Sequence, residues 1–459
     1  MIALLLVAQA VQPVTAPSDS ALRAPLPELT AAAPAAGPVL ALAEALRVTR
    51  DQNPDLAVAL ERIAQADNQV ARAWRTLHPT LTANGATTHN SYSNDIFNPN
   101  ASYADLITGK APLYIDVGPN SQAASLNFNW NIFNLRALPA LQTSWKQVDV
   151  AKFTMTQQRR ELLLSVASIY YSGLALRELE AVARRQAQAT RTHAVDAQAR
   201  YEAGLVQLSA ALRARIDYLN ADQEVRRAQF NYAGARSQLA ALLDRRDTAF
   251  ELEPPAQPPE ELHGAWQELI EKALAERPEM AAARANEEIA RLLKLDAWAQ
   301  FMPSLAVTAS ARYNHPSVII TGDESYWSVA LALTLPLYDG GFRYVAMRDA
   351  ESQIRQAKAQ TRSQAARIED ELRRALIDLD SARALRDEAE QTLRVSRENE
   401  RLVRAQFDAG TASQVDVSDA ESALFSSESN ALQQRLSVQI AALRVAKAVG
   451  AFDVPEEKE

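Results

Sequence analysis

The sequence predicts a mainly α-helical protein that also carries a membrane β-barrel. Two long segments, residues 139–203 and 343–409, contain no internal proline. Four segments of strand length alternate apolar with polar residues. The 459 residues contain an internal duplication, and each copy carries one of the long segments and two of the strand-length segments. Because an α-helix rises 1.5 Å per residue, a helix of about 65 residues is a rod of about 100 Å. We therefore expect long helices that pair as in a coiled coil.

Composition narrows the class of protein. The net charge is -8 and the pI is ≈ 5.4, which argues against nucleic acid as a partner, because phosphate binding requires a basic surface. Only 13 residues are glycine, as expected for a mostly helical chain. Cysteine is absent, so disulfides, thiolate metal sites and catalytic thiols are excluded.

The N-terminal region predicts secretion. Residues 1–16 combine a short apolar run with small residues, the pattern of a signal peptide, although the usual positive charge is missing. Residues 17–38 read as a linker rich in proline and alanine. Elsewhere no segment approaches 18 consecutive apolar residues, so we expect no transmembrane helix.

The remainder of the chain is an internal duplication. Residues 41–60 match 265–284, and the strand candidate at 126–134 matches 331–339. Each copy reads helix, strand, loop, strand, long helix, tight turn and helix. The first copy also has a polar insert at 89–122, which we expect to be a solvent loop. The predicted boundaries are a first repeat at 39–249, a Pro-rich connector at 250–264, a second repeat at 265–452 and a charged tail at 453–459.

The strand candidates alternate as membrane β-strands do. Apolar residues alternate with asparagine in 126–133, and related patterns occur at 80–88, 305–313 and 327–337. A membrane strand needs about 9 to 11 residues, with apolar side chains toward lipid and polar ones toward the lumen. The predicted lipid face consists of Leu126, Phe128, Trp130, Ile132, Val329, Leu331, Leu333 and Leu335. The predicted lumen face consists of Asn127, Asn129, Asn131, Ser328 and Thr334.

Alternation by itself leaves two interpretations open, because a half-buried sheet on a soluble core shows the same pattern. Four strands per chain are too few for a membrane barrel, which needs about eight. Lipid does not tolerate open sheet edges, so several chains would have to share one barrel. Three chains would give twelve strands around a water-filled lumen.

The duplication, the strand pairs and two Ala-Gly turns together resemble the TolC family of outer-membrane efflux proteins, over about residues 38–452. The turns are Tyr201-Glu202-Ala203-Gly204-Leu205 and Phe407-Asp408-Ala409-Gly410-Thr411. The resemblance implies a homotrimer in the cell outer membrane, with a twelve-stranded barrel continued by a periplasmic tunnel of α-helical coiled coils. The residues implied to dock a periplasmic adaptor are Tyr201, Gly204, Leu205, Phe407, Gly410 and Thr411.

The resemblance also implies a function and a set of partners. The protein would be the exit duct of a tripartite efflux or type I secretion system, passing substrates from the periplasm or an inner-membrane pump to the exterior. Its partners would be the adaptor, a pump of the RND, ABC or MFS type, and outer-membrane lipid. Independently of the resemblance, Gly204 and Gly410 stand where a helix needs a left-handed residue to reverse direction.

Two acidic residues follow the second turn. Asp416 and Asp419 match positions at which TolC-like proteins carry paired aspartates around the closed periplasmic entrance, so the resemblance implies a gate there. Their i,i+3 spacing places them on one helix face, where like charges of three chains would repel, bind cations or have raised pKa values. The alternative is that Ser413 and Asp416 form a capping box and Asp419 is a solvated acid of the first turn.

The second turn also departs from the family. Ala412 stands where the best-studied type has an arginine that links the two turns, and Ser209 and Ala210 occupy the matching positions of the first turn. Closure must therefore depend on other contacts. Arg213 and Arg215 lie nearby and are possible substitutes, although arginine on a helix surface usually faces solvent.

Catalysis has no support in the sequence. The five histidines fall in different segments without a ligand-spaced partner, and no phosphate-binding glycine loop, HExxH or GxSxG motif is present. We therefore expect no enzyme activity, no cofactor and no metal site. The competing interpretation is a soluble or periplasmic structural coiled-coil scaffold. That interpretation explains the helices but leaves four duplicated alternating strands unexplained.

Overall fold

The structure is a computed structural model. The residues it describes are 25–29, 37–91, 95–97, 102–110, 114–116, 119–255, 264–316 and 323–452. The predicted signal peptide and charged tail lie outside the described residues, as do most of the linker and residues 256–263 of the connector.

The same order of elements occurs twice. The first half contains β1 (Val39–Leu40), α1 (Leu42–Gln52), α2 (Pro54–Trp74), β2 (Thr80–His89), β3 (Asp95–Phe97), α3 (Tyr103–Ile107), β4 (Tyr114–Asp116), β5 (Asn120–Phe133), α4 (Ala137–Glu202) and α5 (Leu208–Leu242). The second half contains β6 (Glu251–Leu252), α6 (Trp266–Glu276), α7 (Pro278–Ala299), β7 (Ser304–His315), β8 (Ser325–Thr334), α8 (Phe342–Asp408) and α9 (Gln414–Val449). The predicted sequence of helix, strand, strand, long helix and return helix is therefore present in both halves. Proline opens both α2 and α7, where its missing N–H costs nothing.

The chain divides into two compact units. We call the first the helical unit; it comprises the described residues of 1–54, 159–273 and 369–459. We call the second the strand unit; it comprises the described residues of 55–158 and 274–368.

In the strand unit, four strands form one antiparallel sheet in the order β2-β5-β7-β8. Within the part of the chain that the structure describes, β2 and β8 are edge strands with a single neighbour each. Residues directly opposite each other in an antiparallel sheet share a face. Leu81, Phe128, Ala309 and Val329 form one such row across all four strands. The adjacent row is Thr82, Asn127, Ser310 and Ser328.

Three details of the strand unit correct the sequence prediction. The insert contains the short hairpin of β3 and β4 and the one-turn helix α3, in addition to loop segments. The last strand ends at Thr334, because Pro336 lacks the N–H that a further ladder bond would require. Leu335 therefore lies beyond the strand. Ile132 lies at a β-bulge, where the register shifts between Asn131 and Phe133, so it has no partner opposite it on β7.

The helical unit has its main core where β1 and β6 pair in parallel. The core residues include Val166, Leu239 and Phe250, all buried. Tyr170 is fully buried, and its hydroxyl lies 2.7 Å from the carbonyl oxygen of Leu40 and 2.6 Å from that of Glu253. Burial raises the pKa of Tyr170 to about 12. The hydroxyl therefore stays protonated and joins the two parallel chain segments at Leu40 and Glu253.

The long helices pack through small residues. α4 and α8 contain 66 and 67 residues, close to the predicted lengths. The buried side chains of α5 recur at spacings of three and four, and half of them are alanine. This pattern is typical of closely approaching coiled-coil helices.

One helix has the length and composition of a membrane span. Among the described residues, α4 contains an 18-residue window with a mean hydropathy of 1.2, of which 33% is buried. A single such helix is weak evidence, since core helices of soluble proteins meet the same criterion. The expectation that no helix crosses the membrane stays a prediction.

Candidate functional site: the two hairpin turns

The first turn joins α4 to α5. Gly204 has a φ of +73°, in the left-handed region. Its N–H donates to the carbonyl of Tyr201 at 2.8 Å, and the N–H of Leu205 donates to that of Arg200 at 2.8 Å. This pair of bonds is a Schellman motif, which satisfies carbonyls at the helix end while the chain reverses.

The second turn joins α8 to α9 with the same geometry. Gly410 has a φ of +76°. Its N–H donates to the carbonyl of Phe407 at 2.9 Å, and the N–H of Thr411 donates to that of Gln406 at 2.9 Å. The predicted role of both glycines in reversing the chain is therefore confirmed.

The two turns contact each other and expose apolar surface. The guanidinium carbon of Arg200, at the end of α4, lies 5.5 Å from the ring centre of Phe407, at the end of α8. This cation–π contact joins the end of α4 to Phe407, one of the predicted docking residues. Leu205 is 74% exposed and Val415 is 39% exposed.

One member of the acidic pair, Asp416, is held by a capping box. The Ser413 hydroxyl accepts from the N–H of Asp416 at 3.3 Å, and the Asp416 carboxylate accepts from the N–H of Ser413 at 2.7 Å. The hydrogen bonds from the Ser413 side chain and backbone lower the pKa of Asp416. Asp419 is exposed in the next turn of α9. Both alternatives for Asp416 remain compatible, because Oδ2 takes part in the cap and Oδ1 forms no hydrogen bond within it.

Sequence reasoning missed a buried ionic cluster close to this pair. The Glu421 side chain is 4% exposed, and its Oε1 lies 2.8 Å from His193 Nε2 on α4 and 2.8 Å from Arg404 Nη2 on α8. Arg404 Nη2 also lies 3.0 Å from Glu400. From the sequence, His193 is interpreted as an isolated histidine, because no local spacing connects positions 193 and 421. Their meeting depends on how the two hairpins pack together.

Two further contacts connect the hairpins. The Ser418 hydroxyl donates to Asp217 on α5 at 2.8 Å. Arg397 on α8 donates to Glu428 on α9 at 3.0 Å, and Glu428 lies 3.6 Å from Arg185 on α4. The Asp217–Ser418 and Arg185–Glu428 contacts join the two hairpins, as do those of Arg200 with Phe407 and of His193 with Glu421.

The possible substitute Arg215 has a different partner. Residues 25–29, which we call the strap, pack on α4 and α5 through two leucines. Arg215 donates to the Pro25 carbonyl at 3.3 Å, and the buried Tyr218 hydroxyl donates to the Pro27 carbonyl at 2.5 Å. Arg213 is exposed. A linker predicted only from composition therefore contains a packed segment.

The predicted barrel residues lie on two faces of the sheet. Leu126, Phe128 and Trp130 share a face with Val329, Leu331 and Leu333, by the register of the four strands. Asn127, Asn129 and Asn131 share the opposite face with Ser328 and Thr334. The apolar face is open to the surroundings, since Val329, Leu331 and Leu333 are 63%, 66% and 71% exposed. Leu335, though 52% exposed, is outside the strand.

Among the described residues, no group of three or more His, Asp or Glu side chains is arranged to hold a metal ion.

Comparison with known proteins decides the family. A family model described as outer membrane efflux protein matches residues 45–245 and 269–451, most of the chain, in two halves. The chain belongs to the outer membrane efflux protein family. Membership confirms the predicted fold class, a β-barrel continued by long helices, and the location in the outer membrane with helices in the periplasm. Proteins of this family are outer-membrane exit ducts of efflux or secretion systems and are not enzymes. The scaffold interpretation is therefore set aside.

Individual relatives have low sequence identity to this chain but match it over most of its length. The chain is similar to the alkaline protease secretion protein AprF of Pseudomonas aeruginosa, with 24% identity over 72% of this chain and 70% of AprF. It is similar to the outer membrane protein TolC of Vibrio cholerae, with 23% identity over 72% of this chain and 76% of TolC. Among solved structures, the outer membrane protein VceC of Vibrio cholerae matches with a TM-score of 0.70 and 19% identity, over 89% of this chain and 96% of VceC.

Proposed function

We propose that three copies of this chain close one twelve-stranded barrel and form the exit duct of a tripartite efflux or type I secretion system. The observation that carries this proposal is the four-stranded sheet with edge strands β2 and β8. Its strands alternate in direction, so β8 of one copy can pair antiparallel with β2 of the next. Because lipid does not solvate unpaired backbone groups, such a sheet needs neighbours before it can span a membrane.

The two faces of the sheet support the same assembly. The row of Leu81, Phe128, Ala309 and Val329 would face lipid, and the row of Thr82, Asn127, Ser310 and Ser328 would face the lumen. Lipid-facing and lumen-facing residues alternate in this way along membrane strands. The aqueous lumen would then be lined by hydroxyl and carboxamide groups.

The periplasmic end would receive the partners. The exposed Leu205 and the turn residues around Gly204 and Gly410 would contact a periplasmic adaptor, which joins the duct to an inner-membrane pump of the RND, ABC or MFS type. Asp416 and Asp419 would form a ring of six carboxylates at the entrance of the trimer. Such a ring attracts cations and selects against anions. The two sequence repeats, with the boundaries predicted above, would each supply one hairpin to this end.

Cysteine cross-linking tests the shared barrel without interference, because the chain has no native cysteine. Three variants each carry Ala83→Cys on β2 together with one cysteine on β8, at Trp327, Val329 or Leu331, to sample the unknown register between copies. Oxidation in isolated outer membranes should give covalent trimers on denaturing gels for at least one pair.

The matched control carries Ala309→Cys with Val329→Cys, which are opposite each other within one chain. This variant should form only intramolecular links. If all edge pairs also stay monomeric, or if the protein fractionates as a soluble monomer, the shared barrel is wrong.

A further inference from the structure

The ionic cluster around Glu421 lies on the opposite side of α9 from the acidic pair. At about 100° per residue, Glu421 is rotated by about 140° from Asp416 and about 160° from Asp419. One face of α9 therefore presents the two exposed carboxylates, while the other is held by His193 of α4 and Arg404 of α8. Any rotation or displacement of α9 that moves the acidic pair must also move Glu421.

The geometry fixes which ring nitrogen of His193 carries a proton. A carboxylate oxygen only accepts hydrogen bonds, so His193 Nε2, 2.8 Å from Glu421 Oε1, must carry a proton. Burial by itself raises the pKa of Glu421, but the hydrogen bond and charge of His193, followed by those of Arg404, outweigh it and leave that pKa lowered. Glu421 is therefore ionised across the neutral range. A second proton on the imidazole, at Nδ1, changes a hydrogen bond from a neutral donor to a carboxylate into an ion pair.

The charges around His193 are unbalanced. Two carboxylates, Glu400 and Glu421, share the single Arg404, so the cluster has one negative charge in excess when His193 is neutral. Three other carboxylates on these helices have partners of their own. These pairs are Asp196 with Arg200, Asp217 with Ser418, and Glu428 with Arg397.

We propose that Glu421 is the positioning residue of the periplasmic entrance, and that protonation of His193 strengthens its hold on α9. Mild acid then restrains the helix that carries Asp416 and Asp419, and restrains the entrance with it. The effect on the entrance rests on the proposed function, whereas the effect on α9 does not. Histidine is suited to this role because it titrates near neutral pH, around 6.5 in unperturbed form.

Hydrogen exchange tests the restraint directly on the purified full-length protein in detergent. After correction for the intrinsic pH dependence of exchange, amides of residues 414–424 should exchange about fivefold to tenfold more slowly at pH 5.5 than at pH 7.5. That factor is the size expected when the donor of a hydrogen bond to a carboxylate gains a full positive charge at a partly buried site. His193→Gln keeps a donor but does not titrate, so it should abolish the pH effect. Glu421→Gln should give fast exchange at both pH values.

The control variant is Glu398→Gln, which removes an exposed pair with Arg401 on one helix and ties no two helices together. It should retain the pH effect. The proposal is overturned if the wild type shows no corrected pH effect in this segment, or if His193→Gln retains it.

Planar-bilayer recording separates the two levels of the proposal. Switching between conductance levels should become rarer at pH 5.5 than at pH 7.5 in the wild type. His193→Gln should remove this pH dependence. It should also remove it in a protein that carries Asp416→Asn and Asp419→Asn. If exchange follows the prediction but the protein forms no channel, the proposed function fails while the restraint on α9 stands. If a channel forms but its switching ignores His193, Glu421 does not position the entrance.

Discussion

The two hairpin turns share one backbone geometry but differ in how the next helix begins. Both reverse through a glycine with φ near +75°, at +73° for Gly204 and +76° for Gly410. At the start of α5, Gln207 makes no side-chain cap, whereas α9 begins with the complete capping box of Ser413 and Asp416. Chain reversal and helix capping are therefore independent properties here. Only the turn that precedes the acidic pair has both.

The largest expected effect comes from removing the shared feature. Gly204→Val and Gly410→Val force a β-branched residue into left-handed φ, which costs about 1–2 kcal/mol or more at each turn. A Cβ at either position would meet no atom within 4 Å, so the penalty is conformational and stays local. We expect trimers still to form while coupling to the pump is lost. Dye accumulation in cells that depend on this channel measures the coupling.

Gly234→Val is the matched control for that comparison. Gly234 lies inside α5 with equally open space around its Cβ position but without a positive φ. Export should stay at the wild-type level in this variant. Normal export by both turn variants would mean that the turns are not a docking surface.

Features that depend on neighbouring residues could be predicted from the sequence, whereas contacts between distant positions could not. The long helices were predicted at 139–203 and 343–409 and occur at Ala137–Glu202 and Phe342–Asp408, because their signal is local periodicity without proline. The alternating faces of the sheet were equally accessible, since a strand repeats every two residues. The same rule failed at Leu335, where proline ends the strand before the apolar pattern ends.

The contacts that the sequence missed are long-range. His193 and Glu421 are 228 positions apart, and Tyr218 meets Pro27 across 191 positions. No periodicity relates these residues, and with no metal-type spacing His193 resembles any surface histidine. Only the packing of one hairpin on the other makes a buried carboxylate recruit an imidazole and a guanidinium. The family motif at the second turn predicts the acidic pair but gives no information about what holds its helix.

The second comparison removes charge from the capped turn alone. Asp416→Asn with Asp419→Asn keeps an acceptor for the cap but removes the carboxylates. If these residues ring the entrance, block of the channel by multivalent cations should weaken several-fold, because the attraction scales with the charge. Single-channel recording with and without a divalent or trivalent cation measures the block.

Asp408→Asn provides a control for the loss of charge, since Asp408 is an exposed acid at the end of α8. It should leave cation block unchanged. Block that persists at full strength in the double variant would remove the gate assignment.

The smallest expected effect exchanges the caps. Ser413→Ala should destabilise the first turn of α9 by about 1 kcal/mol, and Gln207→Ser should stabilise that of α5 by a similar amount, because Ser is a good N-cap residue and Ala a poor one. Thermal unfolding of the purified protein, together with hydrogen exchange of the two first turns, measures both changes. Identical exchange in wild type and Ser413→Ala would show that the box contributes nothing to α9.

The cap also predicts a dependence on acid. Hydrogen bonds from Ser413 lower the pKa of Asp416, so their contribution is complete above the ordinary pKa and is lost as pH falls through the lowered one. Ser413→Ala removes the side-chain share of that shift, so the acid-dependent loss at the first turn of α9 should be smaller than in the wild type and should be complete at a higher pH. The first turn of α5 has no such carboxylate and should show no matching transition. A shared acid transition at both turns would mean that the difference between them is not the capping box.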